Sequence, residues 1–150
     1  MKPFTNKLLS SLSIVCLYFV CTSFVNTASV NFETLLQSSV GGPQTAEIIV
    51  AKEPGIVNEF FKKVNSTSGS HLAAPKIDYS KEMLFVICMG EKQSGGYQID
   101  VSTIEETANT ITVFVKETTP EEGAIVTTMI TNPFTVVKLK TSNKRIIFRK

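Results

Sequence analysis

The chain has 150 residues, of which 43% are hydrophobic and 19% charged. That composition is of a single globular domain and excludes a disordered or low-complexity segment. The formal charge of +2 is too small to make the strongly basic surface that nucleic-acid binding by phosphate neutralisation requires.

The amino-terminal residues differ in character from the rest. Lys2 and Lys7 precede the apolar stretch LLSSLSIVCLYFVCTSFV, residues 8 to 25, and no acidic residue occurs before Glu33. A basic region, an apolar region and then the small polar residues NTAS form the order of a secretory signal. The expected domain organisation is therefore a signal at 1–29, cut after Ala28 or Ser29, and one β-rich domain at 30–150. Serines and cysteines dilute the apolar stretch, which favours a cleaved signal over a membrane anchor, so no membrane insertion is expected after cleavage. An uncleaved anchor and lipidation of Cys21 stay open as alternatives, although Val20 is a poor fit to the small residue that precedes a lipidated cysteine. Removing residues 1–29 takes Lys2 and Lys7 away from 15 basic residues, leaving 13 against 13 acidic ones. The exported domain would be near neutral and would keep Cys88 alone, so it has no intramolecular disulfide.

In chain order, NFETLLQSSV and TAEIIVA read as two strands joined by GGPQ into a first hairpin. EPGIVNEFFKKVN follows, with Pro54 suited to a first helical position. Ile56, Val57, Phe60, Phe61 and Val64 form an apolar stripe, giving one helix of about three turns. STSGSHLAAPKIDYSKE reads as a loop. MLFVICM is a continuous apolar run, the pattern of a strand covered on both faces. Tyr97, Ile99 and Val101 alternate with polar residues, as do Ile111, Val113 and Val115, making an antiparallel hairpin across a short polar link. TPEEG forms a turn, and IVTTMIT, FTVVKLK and KRIIFR read as the last strands. The fold class that results is mainly β with one helix near the amino-terminal side: an antiparallel sheet or sandwich-like α+β domain of up to eight strands.

The side-chain inventory restricts the chemistry. His71 is the only histidine and sits in a Gly/Ser-rich loop, so no multi-histidine metal site is expected. There is no GxSxG elbow, phosphate loop or dinucleotide fingerprint. Glu105-Glu106 and Glu121-Glu122 are read as turn residues whose side chains point apart into water, unsuited to general acid–base catalysis. The expectation is a protein that is not an enzyme, with no catalytic residues, no cofactor and no metal.

The candidate interaction or structural loop is Gly90, Ser94, Gly95, Gly96 and Tyr97. Adjacent glycines allow positive φ or a close backbone approach, and Tyr97 offers a packing ring with a polar tip.

Asp78-Tyr79, then LFVICMGEKQSGGYQIDV, ITVFVKETTPEEG and TNPFTVVKL together resemble the PrcB C-terminal domain family over roughly residues 78–140. Tyr79 stands where that family often has Phe, and Ser94 where Thr is usual. The resemblance implies a non-catalytic exported domain, the family being named for an accessory subunit that helps stabilise a surface protease complex. The partner expected from it is an exported protein, a protease among the candidates, and the location periplasm, cell surface or medium. EKQSGGYQI is also similar to the loop of chagasin-type protease inhibitors, but lacks the preceding Asn-Pro and any RPW-like loop near the chain end. A small-ligand or glycan-binding domain presenting Tyr97 or Phe134 is a further alternative, weakened by the absence of tryptophan.

Overall fold

The computed structural model describes residues 26–69 and 71–150. The expected signal therefore lies almost wholly outside the described residues. In chain order the elements are β1 (Ala28–Ser29), β2 (Phe32–Ser38), β3 (Glu47–Ala51), α1 (Pro54–Ser68), β4 (Glu82–Cys88), β5 (Gln98–Glu106), β6 (Thr110–Thr118), β7 (Phe134–Lys140) and β8 (Arg145–Arg149). They build an outer sheet, ordered β1-β5-β6-β8, and a central sheet, ordered β2-β7-β4-β3. Every pairing is antiparallel except β6 with β8.

The layering follows from the alternation of side chains along a strand. In β4, Met83, Phe85 and Ile87 enter the core between the two sheets, with Ile99, Val101, Ile104, Ile111, Val113 and Val115 opposite them. Leu84, Val86 and Cys88, on the other face of β4, enter a second core under α1 with Phe60, Phe61 and Val64. The uninterrupted apolar run of β4 is thus the mark of a strand with no solvent face. Phe60 stands edge-on to Phe134 of β7 at 5.4 Å between ring centroids, and Phe85 edge-on to Phe148 of β8 at 5.3 Å. Both separations suit the aromatic quadrupole. In β5 the register shifts between Val101 and Thr103. That bulge moves the phase by one residue, which lets Ile104 return to the same core as Ile99 and Val101.

Three expectations need correction. β2 and β3 do not form a hairpin: β2 pairs with β7 and β3 with β4, at opposite edges of the central sheet. Their Gly-Pro link is a crossing over one end of the sheet. IVTTMIT contains no strand, and Thr131 joins only an isolated bridge to Lys92. The eighth strand is instead β1, whose Ala28 and Ser29, the last two residues of the expected signal at 1–29, pair with Glu106 and Glu105. The helix also runs past Asn65 into the segment read as loop, reaching Ser68 and ending on Gly69 with φ 63°. Asn65 supports this last turn, donating through Nδ2 to the Leu72 carbonyl and accepting from the Leu72 N–H, both at 2.9 Å. The left-handed glycine then stops the helix.

Candidate functional site

Three connections meet at one end of the two sheets: 39–46, 89–97 and 119–133. Backbone hydrogen bonds lace them together. Lys92 and Thr131 exchange N–H···O bonds of 2.8 and 2.9 Å, Glu91 N–H donates to the Gln44 carbonyl at 2.9 Å, and Met89 N–H to the Pro133 carbonyl at 2.9 Å. Asn132 acts as the hub, its N–H donating to Ser39 O at 3.1 Å and its carbonyl accepting from Gly42 N–H at 3.0 Å. Loops laced in this way keep one geometry although they carry no regular structure.

The predicted loop residues lie together in this cluster. Gly90 is buried with φ 76°, and a β-carbon there would stand 2.8 Å from the Ala46 nitrogen. Gly95 is buried, donates its N–H to the Thr127 carbonyl at 2.9 Å, and has the Thr127 hydroxyl where a β-carbon would go. Gly96 has φ +87° beside Pro120 and Val126. Ser94 presents its carbonyl to the Thr131 hydroxyl at 2.7 Å, which satisfies the buried threonine. Tyr97 is half-buried against the inter-sheet core, with Lys92 Nζ 5.7 Å from its ring centroid, within cation–π range. The glycine pair therefore answers a backbone requirement: it lets 90–97 lie flat against 119–133.

What this packing displays is the second loop. Ile125 is fully exposed, and Met129 and Ile130 are 58% and 53% exposed. With IVTTMIT read as a strand, their role as surface residues was missed. The signal available was slight: TPEEG and Asn132-Pro133 bracket the run as a connection, but its seven residues are as many as β2 has.

The remaining candidates fall elsewhere. His71 is exposed. Glu105 and Glu106 stand at the end of β5 and not in a turn, with Glu106 paired to Lys144 at 2.8 Å. Glu121 and Glu122 are exposed. Phe134 is fully buried under α1 and presents nothing to a sugar. Cys88 is buried in the same core, where desolvation and then the nearby Glu47 carboxylate push its thiol up to about 12. A thiol held protonated in this way is no nucleophile. Asp78 closes the turn before β4. It accepts from the Ser80 N–H at 3.0 Å and pairs with Lys81 at 3.1 Å. The Ser80 hydroxyl and then Lys81 hold its carboxyl below the usual range. Among the described residues, no three His, Cys, Asp or Glu side chains come together to hold a metal, and no buried side-chain polar atom lacks a partner.

Fold and site together define, among the described residues, an α+β domain of two stacked sheets, with one helix on the outer face of the central sheet and a laced loop cluster at one end. Residues 83–140 match the family model described as PrcB C-terminal. The match spans the body of β4, all of β5 and β6, and β7, together with two of the three loops. Asp78 and Tyr79 fall just outside it. No curated protein and no solved structure matches the chain.

Proposed function

We propose that the protein is an exported, non-catalytic interaction module, similar in role to the accessory subunit for which its matching family is named, and that it engages another exported protein through the loop end. One observation carries this reading: three large apolar side chains within six residues, Ile125, Met129 and Ile130, stand in water on a loop fixed by its neighbour. Clustered exposed apolar surface on a soluble domain marks an interaction site. A loop ordered beforehand loses little further entropy on binding. Glu121 and Glu122 beside it add a charged rim, the usual surround of such a patch.

The test is a photo-crosslinking side chain at position 125, used in the native envelope, together with a variant carrying Ile125→Ser, Met129→Ser and Ile130→Ser. The expected result is one reproducible adduct that the triple variant loses, with its urea midpoint unchanged because exposed substitutions of this kind move stability by less than about 0.5 kcal/mol. Absence of any adduct, or substrate turnover by the isolated protein, overturns the reading. The backbone hydrogen bonds that hold the neighbouring loop EKQSGGYQI against 44 and 127–131 support a second reading, protease inhibition through that loop. Unaltered rates of cysteine and serine proteases at micromolar protein remove it.

A further inference from the structure

The outermost strand of any sheet carries unpaired N–H and C=O groups, and stable proteins blunt such edges with charge, bulges or brevity. Among the described residues four strands lie at edges, and three of them are blunted. β1 has two residues. β2 is broken by a register shift between Thr34 and Leu36. β8 carries Arg145 and Arg149 at its two ends. β3 has the least of these devices, with no register break and a single charge, Glu47, at its first position, so Ile48 to Ala51 present an uncharged edge. The sequence of β3, EIIVA, holds no lysine, arginine or proline, and all five residues stay in register with β4.

The space beside this open edge is apolar. Ile48 of β3 is 43% exposed. It borders a cleft of about 350 Å³ between the sheets, where Ile87, Ile99, Val115 and Phe148 form the floor and walls. The charged groups at the cleft are Glu47, Glu117 and Lys150, of which Glu117 and Lys150 pair with each other. Glu47 is left as the carboxylate available to an incoming cation.

We propose that the β3 edge accepts an extended segment of a partner protein as an added strand, with alternate apolar side chains entering the cleft and a basic side chain meeting Glu47. This deepens the interaction-module reading and rests on it. Main-chain bonds to the edge supply affinity, and the cleft selects alternate side chains. A second copy of this chain is a poorer occupant. Its own β3 has Val50 already packed in the inter-sheet core and Ala51 buried, which leaves Ile48 alone to fill the cleft.

The experiment uses the full chain and a fluorescent probe peptide alternating valine and threonine, with a lysine at each end. Saturable binding is expected by anisotropy, with new hydrogen-exchange protection confined to β3. Ile48→Lys, which installs the missing edge charge, is expected to weaken binding at least about tenfold. Glu47→Lys should shift preference toward a probe ended with glutamates. The triple serine variant of the 119–133 loop should bind the probe normally. Equal binding by Ile48→Lys, equal binding of a probe N-methylated at its amides, protection at β8, loss of binding in the loop variant, or no saturable binding each overturns strand addition. So does a concentration-dependent dimer that Ile48→Lys dissolves. If the probe fails while crosslinking from position 125 succeeds, strand addition falls and the interaction-module reading stands.

Discussion

A β-carbon at Gly96 would stand 3.1 Å from both Pro120 Cβ and Val126 Cγ1, on a backbone with φ +87°. Both conditions oppose any other residue, since L side chains rarely adopt that φ and the facing loop would have to move. Gly96→Ala is therefore expected to cost about 1–3 kcal/mol, the range for a non-glycine residue held in a sparsely populated conformation. Gly55 is the internal control. It lies in the first turn of α1 and nothing stands within 4 Å of its missing β-carbon. Gly55→Ala should accordingly stabilise the protein by about 0.5 kcal/mol, by restricting the unfolded chain. Urea titrations of the two variants should move in opposite directions. A Gly96→Ala midpoint equal to that of the parent would mean that the glycine pair is not fixed by backbone geometry.

At the scale of elements, the sequence was legible wherever one strand or helix declares its own burial. β4 shows two buried faces as one apolar run, and α1 shows its stripe through Phe60, Phe61 and Val64. β5 and β6 show their shared core as matched alternation. What the sequence does not carry locally is pairing at a distance. β2 and β3 are separated by a turn-like GGPQ, yet each finds a partner far along the chain, Phe32 opposite Leu139 and Glu47 opposite Cys88. The run from Ile125 to Thr131 was misread for a related reason: β propensity describes a residue's fitness for a strand, while pairing is settled at a distance, and in this run Thr131 alone finds a strand partner, as an isolated bridge to Lys92. Helix ends are a further local feature with a testable consequence. Glu53 holds an extended N-cap conformation, φ −147° and ψ 152°, but its side chain makes no capping bond. A shorter hydroxyl at this position reaches the first-turn N–H groups that Glu53 leaves open. Glu53→Ser is expected to raise stability by about 0.5–1 kcal/mol. An unchanged or lower urea midpoint would show that the first turn is already satisfied in another way.

The described residues form three layers around one central sheet, so a group buried in that sheet is coupled to global unfolding. Cys88 is such a group. Its thiol, pushed up to about 12 by burial and by Glu47, titrates in an unfolded chain near the ordinary cysteine value of about 8.5. Between those limits the unfolded chain has released its proton and the folded chain keeps it. The unfolded state then binds fewer protons, and stability must fall as pH rises. The slope approaches about 1.4 kcal/mol per pH unit for one group. Lys138 sits between Glu33 at 2.9 Å and Glu82 at 3.3 Å. Hydrogen bonds first to Glu33 and then to Glu82 raise its pKa. Its contribution is therefore complete below the unfolded lysine value of about 10.4 and disappears only as pH passes the folded value. At about pH 9 the change belongs to the thiol; burial also raises the pKa of the Tyr79 phenol, which joins it toward about pH 10, and the comparison with a cysteine variant separates the two. Cys88→Val keeps an apolar side chain of similar volume and removes the titrating proton. Urea denaturation at pH 8, 9 and 10 should show the parent losing stability more steeply than Cys88→Val, and parallel lines for the two would mean that the thiol ionises as freely in the folded protein as outside it.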